Sequence, residues 1–119
     1  MTPNFKKMTA VFYCSKTGRE PVREWLKSLN PLEKRTIGHD IATVEYGWPI
    51  GMPVCRSLGN GIWEIRSSLP TRKIARVLFS FLDGNIVLLD GFIKKTQKTP
   101  LTEIKIAQKR LSEIKYENK

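Results

Sequence analysis

Ile62-Trp63-Glu64-Ile65-Arg66, the run Lys73 to Leu82, and the run Ile86 to Ile93 decide the fold. The first alternates as a half-buried strand does, with Trp63 and Ile65 on one face and Glu64 and Arg66 on the other. Ser67 to Thr71 supplies turn residues before the second run, and Asp83-Gly84-Asn85 supplies them before the third. The third delivers the chain into Lys94-Lys95-Thr96-Gln97-Lys98. Three strands on short connections predict an antiparallel meander that presents positive charge from one surface.

Working back from the meander, Gly59-Asn60-Gly61 reads as a hairpin turn and Val54 to Leu58 as a short strand. Gly47 is a natural helix stop, and Pro49 and Pro53 hold the chain off helix. Asn30-Pro31-Leu32-Glu33 has the look of a helix start, with Leu32, Ile37, Ile41 and Val44 turned inward and the helix running to about Tyr46. An earlier helix starts at Glu20-Pro21 and buries Val22, Trp25, Leu26 and Leu29. Lys6 to Cys14 is an opening strand. Beyond the meander, Thr99-Pro100 is expected to cap a last helix with Leu101, Ile104, Ala107, Leu111 and Ile114 as its apolar stripe. The order strand–helix–helix–four strands–helix predicts one α+β domain over 1–119, its helices on one face of an antiparallel sheet.

The chain of 119 residues is long enough for a core without metal or disulfide support. No apolar run approaches the ~20 residues of a membrane span, and Met1 to Lys7 carries no signal-peptide core, so a cytoplasmic location and no membrane partner are expected. Cys14 and Cys55 have no neighbours at metal-ligand spacing and read as free thiols. The formal net charge is +10, and it is uneven: residues 1–50 hold eight Lys/Arg against five Asp/Glu, residues 51–119 thirteen against six. The excess on the meander and tail favours a polyanionic partner over mere solubility charge.

Metal, nucleotide-cofactor and triad chemistry find little to build on. His39 is the one histidine and lies mid-helix, no Gly-rich phosphate loop is present, and no carboxylate cluster suggests a metal, so no cofactor is expected. Cations remain. Arg66 and Arg76 sit mid-strand, where a charge must leave the core or be paired. Arg76 among apolar residues reads either as a bidentate grip on phosphate or as an ion pair with Glu64 or Asp90. Lys94 and Lys95 end the last strand, and Phe92, on the same face as Lys94, either stacks on a base or closes the core.

Gly61-Ile62-Trp63-Glu64-Ile65-Arg66, Ala75-Arg76-Val77-Leu78-Phe79 and Val87 to Pro100, which ends in Gly91-Phe92-Ile93-Lys94-Lys95-Thr96-Gln97-Lys98-Thr99-Pro100, resemble the HigB-like, phage-associated branch of the RelE/ParE toxin superfamily. The resemblance spans nearly the whole chain. It implies a RelE-like fold and a type II toxin whose relatives cleave mRNA in the ribosomal A site without a metal. It implies a helix-turn-helix antitoxin from the same operon, binding of operator DNA through that antitoxin, and, as alternatives to cleavage, DNA gyrase as the target, as for ParE relatives, or an inactive toxin acting mainly within the autorepressor complex. By position it assigns Arg66 to the basic group of the third strand, Arg76 to the fourth-strand arginine that binds the scissile phosphate, and Lys94 or Lys95 to the basic group of the last strand. Arg56, Arg72, Lys73 and Lys98 become outer contacts to RNA. Glu64 stands where a second Lys is common, and is either a general base or an ion-pair partner of Arg66 or Arg76; Asp90 stands where many members of the branch have His; and Tyr116 is the one tyrosine of the last helix.

Overall fold

A computed structural model describes residues 6–49, 54–70, 72–95 and 97–117. Pro53, Thr71 and Thr96, and the start of the chain through residue 5, lie outside the described residues, as does the side chain of Tyr116. The elements are β1 (Thr9–Phe12), α1 (Pro21–Lys27), α2 (Pro31–Gly47), β2 (Cys55–Gly59), β3 (Ile62–Ser68), β4 (Ile74–Leu82), β5 (Asn85–Lys94) and α3 (Leu101–Glu117). They make one five-stranded sheet in the order β1-β5-β4-β3-β2. The meander β2 to β5 is antiparallel, while β1 pairs parallel to β5, so the α+β order holds with one parallel edge.

Local chemistry sets the connections. Asp83 and Gly84 both take positive φ, +52° and +79°, which is what a two-residue turn between antiparallel strands demands. Gly59, Asn60 and Gly61 take +90°, +54° and +80°, turning β2 into β3. At the start of α2 the Glu33 N–H donates to Asn30 Oδ1 at 2.8 Å and the Asn30 N–H donates to Glu33 Oε1 at 3.2 Å, a reciprocal cap with Pro31 inside it. Losing such a cap typically costs about 1 kcal/mol.

The helices lie on both faces of the sheet, not on one. Ile65, Ala75, Val77, Phe79, Ile86 and Leu88 pack with Val22 of α1 and with Ile37, Ile41 and Val44 of α2. Ile62, Leu78, Val87, Leu89 and Phe92 pack on the other face with Ala107 and Leu111 of α3. The two inner strands are therefore buried on both sides, which is why Val77-Leu78-Phe79 and Ile86-Val87-Leu88-Leu89 read as continuous apolar runs. A β-bulge adds to this. Leu78 pairs with Asp90 but Phe79 pairs with Leu88, so Leu89 is the extra residue. The slip turns both Leu89 and Asp90 toward α3 and breaks the simple alternation expected along this strand. Leu32 and Leu101, expected inward, are 51% and 63% exposed; each lies in the first turn of its helix, where the chain has not yet reached the core. Gly91 permits α1 to approach β5: a Cβ there would stand 2.4 Å from the Trp25 ring.

Candidate nucleic-acid interface

The centre of the charged face is Glu64, fully buried on β3. Its Oε1 lies 3.4 Å from Arg56 Nε and 3.6 Å from Arg66 Nε, and its Oε2 lies 3.7 Å from Arg76 Nε. Thr99, at the entrance to α3, donates its hydroxyl hydrogen to Oε2. Strand register causes this convergence. Arg56 pairs with Glu64 across β2–β3, Arg66 faces Arg76 across β3–β4, and Arg76 faces Phe92 across β4–β5. All of these side chains leave the sheet on the face that carries α3. One carboxylate thus holds three arginines from three adjacent strands, and the cluster keeps a net positive charge.

The three arginines differ in access. Arg76 is fully buried, and its guanidinium lies 6.0 Å from the Phe92 ring centroid. Burial, then the neighbouring charge of Arg66, lowers its pKa from the usual value, and Glu64 acts against that shift. Arg66 and Arg56 keep 18% and 35% of their side-chain surface in solvent. Arg66 Nη2 also donates to the Gln97 carbonyl at 3.1 Å, tying the end of β3 to the segment after β5. The contacts to Glu64 exceed hydrogen-bond length and act as charge attraction.

Beyond Arg66 the strand ends bring the remaining cations together. Ser68 closes β3 opposite Ile74, and Ile74 faces Lys94, so Arg72 and Lys73 of the β3–β4 turn share one end of the sheet with Lys94 and Lys95. Arg72, Lys73, Lys94, Lys95 and Lys98 are all exposed. Arg72 takes φ +62° in a turn closed by its N–H on the Leu69 carbonyl. The strand ends therefore gather Arg66, Arg72, Lys73, Lys94 and Lys95 around one end of the sheet, with Arg56 alongside on β2 and Glu64 and Arg76 buried beneath the α3 face. Phe92 is buried with the α3 core, and His39 is exposed on α2, which covers the opposite face. Thr99 escaped the sequence reading in this role. A Thr-Pro pair before a helix reads as a cap, but its hydroxyl is spent on a carboxylate 35 residues away.

A second buried group lies further along β5. Asp90 is pushed up to about 8 by burial first and then by Glu103, against the pull of Arg110, whose Nη1 is 3.5 Å away. Arg110 also donates to the Leu89 carbonyl at 2.7 Å and lies over the Tyr13 ring, and Tyr13 donates its hydroxyl hydrogen to Glu113. In this range the folded protein holds a proton that the unfolded chain, near 3.8, has already released. Folding stability must then fall as pH rises from about 4 to about 8 and level off above. Thermal melts at a series of pH values should show this slope in the wild type and a flatter one in Asp90→Asn; equal slopes would contradict the assignment.

The thiols differ sharply. Cys55 is buried and its thiol is pushed up to about 11, by burial and then by Glu64, whereas Cys14 is exposed. Iodoacetamide at pH 8 should therefore alkylate Cys14 in the native protein and reach Cys55 only after denaturation. Peptide mass spectrometry reads the result, and matching rates at both sites would contradict it.

A positively charged sheet end, carried by a four-strand antiparallel meander between a helix pair and a single helix, defines a small basic α+β protein. A family model described as phage derived protein Gp49-like (DUF891) matches residues 24–112, well over half of the chain. The chain therefore belongs to the Gp49-like phage-derived family, a RelE/toxin-like family associated with the toxins of toxin–antitoxin systems. Membership implies an antitoxin as partner. Comparison with curated proteins gives no match. Among the described residues no helix is long and apolar enough to cross a membrane.

Proposed function

We propose that this chain is the HigB-like toxin of a type II module and acts as a metal-independent, ribosome-dependent mRNA endoribonuclease, neutralised by a helix-turn-helix antitoxin. The observation that carries this reading is the set of three arginines held by buried Glu64 and opening onto the exposed cations at one sheet end. In the reaction a ribose 2′-oxygen attacks the adjacent phosphorus, the bond from phosphorus to the 5′-oxygen breaks, and the products are a 2′,3′-cyclic phosphate and a 5′-hydroxyl. The proton lost by the 2′-hydroxyl passes to solvent or a ribosomal group, and the leaving 5′-oxygen gains one. Negative charge gathers on the phosphoryl oxygens, and fixed cations aimed there lower the barrier.

Within this reading Arg66 and Arg56 meet the scissile phosphate. Lys94 and Lys95 meet the flanking phosphates, and Arg72, Lys73 and Lys98 contact RNA further out. Arg76 acts from beneath: it adds field and fixes Arg66, and Phe92 supports it in place of stacking on a base. Glu64 organises the arginines: its Oε1 faces Arg56 and Arg66, and its Oε2 faces Arg76 and accepts from Thr99. The ribosome positions the mRNA, so orientation supplies much of the rate.

Purified protein added to a reconstituted translation system tests the reading. Cuts within the A-site codon, with 5′-hydroxyl ends and only on translated message, are expected. Intact mRNA under arrested growth would transfer the reading to a protein target such as gyrase. The observation favouring that alternative is the full burial of Glu64 and Arg76, which leaves no acid–base pair at the surface of the cluster.

A further inference from the structure

The connector from β5 to α3 is fastened to the arginine cluster at Gln97 and again at Thr99. The Gln97 carbonyl accepts from Arg66 Nη2 at 3.1 Å, and the Thr99 hydroxyl donates to Glu64 Oε2. Arg66 and Glu64 face each other across 3.6 Å, so connector and cluster close a ring. Thr99 is itself held in place. It is 3% exposed, and Pro100 after it restricts its backbone to the extended region. The Pro100 carbonyl accepts from the N–H groups of Glu103 and Ile104, so α3 begins directly behind the hydroxyl.

Thr99 makes the one hydrogen bond to the Glu64 carboxylate among the described residues. Glu64 Oε1 is buried with no hydrogen-bond partner, and the three guanidiniums act on the carboxylate by charge across longer distances. The terminal torsion of a glutamate is broad and roughly two-fold, so charge attraction alone leaves the carboxylate free to swing among the arginines. The hydroxyl removes that freedom. With Oε2 held between Thr99 and Arg76, Oε1 is turned toward Arg56 and Arg66, the two guanidiniums that reach solvent. A fixed carboxylate gives fixed cations, and fixed cations stabilise developing charge without reorganising at the moment of reaction.

We infer that Thr99 is a positioning residue for cleavage: by fixing the Glu64 carboxylate it aims Arg56 and Arg66 at the scissile phosphate. The inference rests on the endoribonuclease reading, and its test separates the two. Cleavage by the wild type, Thr99→Val, Thr99→Ala and Thr99→Ser is followed in a reconstituted translation system, with thermal melts confirming that each protein is folded at the assay temperature. Thr99→Val keeps the volume and deletes the hydroxyl; Thr99→Ala deletes it without crowding the site. Both should lower kcat by roughly 10–100-fold, the scale of a small misplacement at the reacting centre. KM for programmed ribosomes should hold, because the cations that meet the flanking phosphates are untouched. Thr99→Ser keeps the hydroxyl and should restore kcat. Without any RNA, the Arg66 Nε–H signal in NMR spectra should broaden in Thr99→Val and stay sharp in Thr99→Ser. A wild-type kcat in both hydroxyl-free variants, no rescue by serine, or an equally sharp Arg66 signal in Thr99→Val would overturn the inference and leave the endoribonuclease reading intact. An absence of cleavage by the wild type would overturn both.

Discussion

Arg66→Ala should lower mRNA cleavage by about 100-fold or more, the scale of losing one fixed group that stabilises developing charge. Growth arrest on induction should vanish with it. Arg66 is the arginine of the cluster that faces Glu64 and donates to the Gln97 carbonyl while remaining partly in solvent. Its removal leaves Glu64 still facing Arg56 and Arg76 and accepting from Thr99, so no buried charge is stranded. The melting temperature should therefore move by only a few degrees. The combination is the diagnostic part: activity lost, fold kept. An equally toxic Arg66→Ala protein would remove Arg66 from the site. A variant that loses toxicity only because it unfolds would show it in the melt.

Glu64→Gln should do the reverse. The substitution keeps the volume and an acceptor for the Thr99 hydroxyl, but deletes the charge facing Arg56, Arg66 and Arg76. Breaking a buried ion pair by neutralising one partner costs about 3–5 kcal/mol, because the remaining charge stays desolvated. For a domain of this size that corresponds to a fall in Tm of roughly 10–20 °C. Arg76 lies fully buried on the next strand and carries most of this penalty, since Arg56 and Arg66 have solvent to turn to. A general base would behave differently: Glu64→Gln would melt like the wild type and lose only catalysis. A Tm within about 2 °C of wild type would thus contradict the organising role given to Glu64 here.

Much of the fold was legible because its signals are local. The alternation from Ile62 to Arg66, the Asp83-Gly84 turn and the Asn30–Glu33 cap each depend on residues a few positions apart. The placement of α3 was not legible, because an amphipathic stripe shows that a helix is buried without showing which face of the sheet receives it. The bulge at Leu89 was hidden for a related reason. Val87-Leu88-Leu89 is apolar throughout, so an extra residue leaves no break in the pattern. In the site, sequence brought Arg66, Arg76 and Glu64 into view and left open which paired with which. It did not show that Glu64 serves three arginines at once, since that needs the register of β2 against β3 as well as β3 against β4. Thr99 stayed out of sight because its role depends on a segment distant in the chain.

Mapping the 5′ ends of cellular mRNA after brief induction, wild type beside Arg66→Ala and with translation running or blocked, tests the central claim most directly. Discrete cuts that require translation are expected in the wild type, and their loss in a variant that melts like the wild type. Growth arrest with uncut mRNA, or the same cuts from Arg66→Ala, would contradict it.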